Sequence, residues 1–156
     1  MNTVFENIKL LLNEHQTQFT LSHHGPTLTS EASALARGES IHIGAKALLL
    51  KVDNDFKLFV MSAPLKIDSK AVKSIFNARK IRFATAEELF DLTGLGPGSV
   101  PPFGEPILPF QLYIDESILS LSDIAFNAGS LTDSIKMKTE GYLKIAGGVV
   151  IRFTQI

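Results

Sequence analysis

The amino-acid sequence predicts one α/β (α+β) domain over residues 1–156, in which helices surround a mixed, partly closed β-sheet. Three observations support this prediction. Patterns typical of helices and of strands alternate along the chain, and no internal repeat interrupts them. A chain of this length is able to bury roughly 70% of its unfolded surface, which is enough for one self-supporting core.

The first half of the chain predicts a helix, a strand, a second helix and a β-hairpin, at residues 4–15, 19–22, 29–37 and 45–61. The first helix begins with a capping box, because Thr3 and Glu6 are spaced to satisfy each other's backbone N–H groups. Thr29 is the predicted cap of the second helix. The hairpin consists of two apolar runs that flank the polar turn Asp53-Asn54-Asp55.

The second half predicts three helices, at residues 68–76, 85–93 and 139–146, and five strands, at residues 80–83, 110–114, 124–127, 134–138 and 149–153. Thr85 and Glu88 form another capping box, and Gly94 provides the C-terminal cap of the same helix. This helix therefore leads directly into the segment Thr93–Gly104, which we call the glycine–proline loop.

The glycine–proline loop is the most informative part of the sequence. Five of the seven prolines lie between Pro97 and Pro109, and four of the eleven glycines lie between Gly94 and Gly104. Glycine allows backbone N–H groups to approach a ligand closely, whereas proline restricts the chain. We therefore expect a rigid loop that presents backbone hydrogen-bond donors.

Several familiar sites do not match the sequence. The loop has no lysine after its glycines, as a phosphate loop requires, and it lacks the spacing of a dinucleotide fingerprint or a nucleophile elbow. The absence of cysteine and of a helix-spaced histidine pair predicts no metal site, and no cofactor is expected. The longest aliphatic run is too short for a membrane span, and we expect a cytoplasmic protein.

Charge is distributed unevenly along the chain. The formal net charge of −1 argues against a general nucleic-acid coat, but nine of the fifteen basic residues and only three acidic residues lie between Lys46 and Arg82. This basic segment either faces phosphate or simply solvates a surface. Lys46 begins an otherwise apolar strand, so its ammonium group either has a partner or pocket or reaches water at the strand end.

Four segments together resemble the YbaK family, also called the prolyl-tRNA-synthetase-associated domain: residues 24–32, 44–48, 92–104 and 126–130. The specific part is Gly98-Ser99-Val100-Pro101-Pro102-Phe103-Gly104, a string that is hard to reach by chance. The resemblance implies a trans-editing deacylase that hydrolyses the ester bond of mischarged tRNA of the tRNA-Pro type. Its partners are the 3′ acceptor end and a synthetase, without DNA or a membrane.

The resemblance also implies the site residues. Lys46 matches the required lysine of the family and Gly98 its loop glycine, so these two are the predicted catalytic residues. The predicted substrate-binding residues are Gly96, Ser99, Phe103, Asn127, Gly129, Ser130 and Thr29. The negative charge that develops on the carbonyl oxygen during ester hydrolysis would be stabilised by backbone N–H groups around Gly98 and Ser99. No protein nucleophile is predicted.

The identity of the amino acid stays open at this point. Some relatives selective for alanine carry a histidine just after the matching glycine–serine step, and Leu131 and Asp133 occupy that neighbourhood here. Small amino acids such as alanine or cysteine are preferred on family grounds. Two other interpretations also remain. In the first, the chain is a non-catalytic module that binds an acceptor end or a synthetase. In the second, the chain is an inert core and the loop is a structural turn.

Overall fold

The computed structural model describes residues 3–26, 30–38 and 41–156. In this part of the chain five α-helices, α1 to α5, occupy Val4–Glu14, Ser30–Arg37, Ser69–Phe76, Ala86–Thr93 and Thr139–Ala146. Eight strands, β1 to β8, occupy Phe19–His23, Ala45–Val52, Asp55–Ser62, Ile81–Phe83, Leu112–Asp115, Asp123–Asn127, Asp133–Lys138 and Val149–Ile151. Short 3-10 turns lie at Ile41–Ile43 and Glu116–Ser120.

The described strands form two sheets. The larger sheet has the order β4-β2-β3-β5-β8, with antiparallel pairs among β2, β3 and β4 and parallel pairs of β5 with β3 and β8. The smaller sheet, β1-β7-β6, is antiparallel. The expected mixed α/β character is confirmed. In the described residues, two open sheets replace the expected single, partly closed sheet. A bridge between Gly44, which precedes β2, and Ala125 of β6 connects them.

The predicted helix ends agree with the structure where it describes them. Thr3 and Thr85 both form complete capping boxes, and Asp68 caps α3 by accepting the Ala71 N–H. Gly94 ends α4 in the left-handed conformation, with φ of +75°. The predicted cap at Thr29 lies outside the described residues.

Two strands differ from their predicted ranges by two residues at one end. The last strand ends at Ile151 because the N–H groups of Phe153 and Thr154 donate to the Asp115 carboxylate rather than to a neighbouring strand. β5 begins at Leu112 because the preceding residues form turns, in which the Leu108 N–H donates to the Gly104 carbonyl. Both differences arise from long-range or turn contacts that apolar patterning does not encode.

Two apolar clusters lie on opposite faces of the larger sheet. Neighbouring residues of β2 separate accordingly, since Leu49 belongs to one cluster and Leu50 to the other. The first cluster fills the space among the two sheets, α1 and the glycine–proline loop, and it contains Phe103, Phe126 and Tyr142. Within the described ranges, the helices lack the length and apolar content that crossing a bilayer requires.

Candidate active site

A tight turn forms the tip of the glycine–proline loop. The Ser99 N–H donates to the Gly96 carbonyl at 3.3 Å, Pro97 lies at the second position, and Gly98 has φ of +85°. Proline followed by a residue with positive φ is the signature of a type II turn. Gly96, Pro97 and Gly98 are exposed. The sequence therefore uses glycine at position 98 because the turn requires a backbone conformation that other residues rarely adopt.

The second half of the loop is fixed to the core. The buried Tyr142 hydroxyl donates to the Pro102 carbonyl at 2.6 Å, and burial raises the pKa of this phenol well above its usual range. The Phe103 ring lies between Tyr142 and Phe126 in edge-to-face contacts, at centroid distances of 5.4 and 5.6 Å. A Cβ at Gly104 would lie 2.5 Å from a backbone oxygen, so only glycine fits there.

Asn127, at the end of β6, holds the tip of the loop in place. Its side-chain Nδ2 donates to the Gly98 carbonyl at 2.7 Å and to the Ser33 hydroxyl at 3.2 Å. Its Oδ1 accepts from the buried Ser134 hydroxyl at 3.0 Å. The Gly129 N–H adds a backbone bond to the Ser99 carbonyl at 2.9 Å. The end of the smaller sheet thus fixes the peptide groups of the turn from one side.

Lys46 lies at the start of β2 in the larger sheet. It is half-buried, and its Nζ donates to the Leu65 carbonyl at 2.6 Å. Lys46 lies two residues beyond Gly44, and Asn127 lies two residues beyond Ala125, the partner of Gly44 in a parallel bridge. Each residue therefore lies about 7 Å from the bridge in the same direction. The backbones of Lys46 and Asn127 are thus at the same end of the two sheets, and Asn127 contacts the turn.

The other predicted site residues have different surroundings. Phe103 is 1% exposed, so its ring shapes the loop from beneath rather than forming an exposed wall. The Ser130 hydroxyl donates to the Asp133 carboxylate, and Gly129, with φ of +77°, faces the Val4 side chain. Thr29 is outside the described residues.

Ser99 differs from its predicted role in the loop. Its N–H closes the turn, and its hydroxyl also donates to the Gly96 carbonyl at 2.7 Å. The side chain is 5% exposed. In the part of the chain that the structure describes, the N–H groups of Gly96 and Gly98 donate to no protein acceptor. The available backbone donors are therefore Gly98 and Gly96 rather than Gly98 and Ser99.

Sequence reasoning did not identify two serines and a histidine that complete this network. Ser33 and Ser134 are both buried, and the His24 Nε2 lies 2.8 Å from the Ser134 hydroxyl. The sequence pattern gave no signal for the burial of Ser134, which alternates with Ile135 along β7 and shares its face with Lys136 and Lys138. Such a serine needs a partner, but nothing local in the sequence indicates that Asn127 and His24 supply it.

A basic cleft lies at the other end of β2. It has a volume of about 450 Å³ and is lined by Lys51, Asp53, Asn54, Lys73, Arg79, Lys80, Ile81 and Arg82. Arg82 is paired with Glu88 through bonds of 2.7 and 2.9 Å, and the hydrogen bonds from Arg82 lower the pKa of Glu88 to about 2. The other four basic side chains outnumber the single acid of the cleft, so the cleft attracts anions.

Comparison with known proteins gives this arrangement a context. The family model described as the aminoacyl-tRNA editing domain matches residues 24–145. That range includes Lys46, the glycine–proline loop and Asn127. The chain is also 33% identical, over 149 residues, to the Escherichia coli K12 protein named multifunctional Ser/Thr-tRNA deacylase ProXp-y. The match covers 92% of this chain and 88% of that protein.

Two further matches relate the fold to prolyl-tRNA synthetases. Proline–tRNA ligase of Bacillus licheniformis is 30% identical over 106 residues, which cover 67% of this chain and 18% of the ligase. A solved structure, described as that of a proposed trans-editing enzyme for prolyl tRNA synthetase, superposes with a TM-score of 0.83 at 21% identity. The superposition covers 100% of this chain and 99% of that one, and it shows that the two share a fold.

Proposed function

Because this chain belongs to the aminoacyl-tRNA editing domain family, we propose that it is a trans-editing deacylase in the cytoplasm. It hydrolyses the ester bond between a tRNA 3′ end and a wrongly attached amino acid. The observation that carries this proposal is the orientation of Gly98. Asn127 holds the Gly98 carbonyl at 2.7 Å, while the Gly98 N–H donates to no acceptor in the described part of the chain.

A fixed N–H group with this exposure suits the chemistry of ester hydrolysis. Water or a ribose hydroxyl attacks the carbonyl carbon, and the carbonyl oxygen becomes an oxyanion. The Gly98 N–H donates to that oxyanion, and because Asn127 holds the adjacent peptide group through the Gly98 carbonyl, little reorganisation is needed when charge develops. Collapse of the tetrahedral intermediate breaks the bond to the ribose oxygen, which takes up a proton. When water attacks, the products are the tRNA and the free amino acid. When the neighbouring ribose hydroxyl attacks, the ester moves between the 2′ and 3′ oxygens, and a water must still hydrolyse it.

Lys46 and Ser99 have separate roles in this proposal. The Lys46 ammonium group, held in part by the Leu65 carbonyl, binds oxygen atoms of the terminal nucleotide or of the ester. Ser99 is not the nucleophile, because its hydroxyl donates to the Gly96 carbonyl and is almost completely buried. Gly96 supplies a second exposed N–H beside Gly98, and Asn127 and Gly129 position the turn.

The proposed substrates are tRNAs that carry a small amino acid. The relative from Escherichia coli is named a Ser/Thr-tRNA deacylase, which favours serine and threonine as the first candidates. The family resemblance adds alanine and cysteine, together with tRNA-Pro as the carrier. Editing sites of this kind discriminate by size, since each methylene is worth about 1–3 kcal/mol in a well-fitted pocket.

The basic cleft is the proposed contact for the tRNA backbone. Lys51 lies five residues from Lys46 along β2, a distance of about 17 Å for an extended strand. A tRNA whose 3′ end lies beside Lys46 therefore brings phosphate groups to the cleft when its acceptor arm follows the strand. Lys73, Arg79 and Lys80 supply the further positive charge.

The test measures ester hydrolysis on a panel of tRNAs charged with serine, threonine, alanine, cysteine or proline. We expect hydrolysis of at least one small mischarged amino acid and its loss in Lys46→Ala. Lys57→Ala is the matched control, because Lys57 is a half-buried lysine on the adjacent strand that bonds to Gln111 away from the turn. If the wild-type protein binds the acceptor end but hydrolyses no ester, it is a binding module and the deacylase proposal is wrong.

A further inference from the structure

His24 makes two hydrogen bonds with its imidazole ring at the edge of the candidate site. It directly follows β1, and its ring is half-buried. Nδ1 lies 2.8 Å from the Gly25 carbonyl oxygen, and Nε2 lies 2.8 Å from the Ser134 hydroxyl oxygen. In the sequence, His24 begins the first of the four segments that carry the family resemblance, and the proposed function gives it no role.

The direction of each bond in the network follows from groups that have a single role. The Gly98 carbonyl only accepts, so the Asn127 Nδ2 must face it and Oδ1 must face Ser134. The Asn127 Oδ1 only accepts, so Ser134 donates its one proton to it. Ser134 therefore receives its bond from the His24 Nε2–H.

The second ring nitrogen, Nδ1, contacts the Gly25 carbonyl, so the imidazole is held at both nitrogens with Nε2 aimed at Ser134. The ring therefore links the segment after β1 to β7.

We propose that His24 is a positioning residue, which orients Gly98 through Ser134 and Asn127. This inference rests on the proposed function, because it gives the relay a catalytic purpose. The bond from the His24 Nε2–H leaves the Ser134 hydroxyl to donate to Asn127, and the Asn127 amide in turn holds the Gly98 carbonyl. Since the N–H of Gly98 belongs to the adjacent peptide group of the same residue, the direction of this donor depends on the chain of bonds that starts at His24.

A contact between a histidine and an aspartate lies beside this relay. His23 and Asp133 form the neighbouring register pair and contact each other at 2.8 Å. Burial, the largest influence on Asp133, opposes ionisation, but hydrogen bonds from His23 and its neighbours outweigh it and keep the Asp133 pKa below its ordinary value. From β6 the relay meets the neutral amide of Asn127, the glycine–proline loop contains no ionisable side chain, and β2 contributes Lys46.

The first experiment follows the relay by NMR and does not require activity. We expect His24→Ala and Ser134→Ala each to move the resonances of the Asn127 side-chain amide and of the Gly98 backbone amide. His24→Gln keeps an N–H donor and should move the Gly98 resonance less than His24→Ala does. His23→Ala is the matched control, because the adjacent ring contacts Asp133 instead, and it should leave the Gly98 resonance in place. An unchanged Gly98 resonance in both His24→Ala and Ser134→Ala would overturn the proposal.

The second experiment measures deacylation by the same variants. We expect kcat to fall about 10-fold in His24→Ala, with little change in KM, as is typical when an outer partner of a catalytic group is removed. His24→Gln keeps an N–H donor and should recover most of the rate. An active enzyme in which Gly98 does not respond to substitution of His24 contradicts the relay alone. A coupled network in a protein that hydrolyses no ester contradicts the proposed function alone.

Discussion

Replacement of Gly98 by alanine separates the conformational role of this residue from its proposed catalytic role. Gly98 has φ of +85°, where a Cβ is strained, and Gly94 has φ of +75° at the C-terminal cap of α4. Both glycines are exposed. A side chain in this region costs about 1–2 kcal/mol per residue. For a chain of 156 residues, that cost lowers the melting temperature by roughly 2–8 °C.

The two alanine variants should therefore be destabilised to a similar extent, while their catalytic rates diverge. Gly98→Ala moves the N–H that the proposal assigns to the oxyanion, and loss of one such donor typically costs about 100- to 1,000-fold in kcat. Gly94→Ala leaves the donor in place, and its activity should stay within a few-fold of wild type. Thermal unfolding and single-turnover deacylation measure the two effects on the same samples. Equal activity of the two variants would refute the assignment of Gly98.

Three other perturbations test separate parts of the structure. Tyr142→Phe leaves the buried Pro102 carbonyl without its donor, so unfolding in urea should show a loss of about 1–3 kcal/mol; no loss would mean that the loop is anchored elsewhere. Burial, the strongest influence on Asp115, raises its pKa, but hydrogen bonds from Ser117, from the Phe153 backbone and from Thr154 together hold the pKa below its ordinary value. Ionised Asp115 therefore stabilises the folded state above about pH 4, and this contribution is lost as the pH falls further. When the free energy of unfolding is measured from pH 2 to 7, its dependence on pH should be weaker in Asp115→Asn. Replacing Lys73 and Arg79 together by alanine should lower the slope of log Kobs against log salt for tRNA binding by about 1.4 to 1.8, and an unchanged slope would place the phosphate contacts elsewhere.

Local patterns were sufficient to predict most of the secondary structure. Capping boxes at Thr3 and Thr85 specify helix starts through bonds between residues three apart, and Gly94 specifies a helix end through its own conformation. These signals operate within a single turn of chain. The division of the strands into two sheets was not predictable in the same way. It depends on which strands pair, and those strands are far apart in sequence, as are the residues of the Gly44–Ala125 bridge.

The candidate site was predictable from the loop, but not in its internal connections. The run of glycine and proline identified the turn, and Lys46 was notable as a cation within an apolar strand. The use of the Ser99 N–H was misassigned, because a type II turn bonds that group to Gly96, and the spacing of glycines alone does not specify which amides remain exposed. Ser33 contacts Asn127 from α2 and Ser134 contacts it from β7, so both bonds depend on the tertiary arrangement.

The pattern of held and exposed peptide groups in the turn makes a final prediction about exchange with solvent. The Gly129 N–H is bonded to the Ser99 carbonyl and the Gly94 N–H to the Phe90 carbonyl, so both should exchange slowly in the free protein. The Gly98 N–H has no acceptor in the described part of the chain and should exchange rapidly. Binding of a non-hydrolysable aminoacyl-adenosine amide gives this one group an acceptor, so water-exchange NMR should show slower exchange at Gly98 and no change at Gly94. If saturating analogue leaves Gly98 unprotected, the carbonyl oxygen of the ligand does not lie against this turn, and another donor must stabilise the oxyanion.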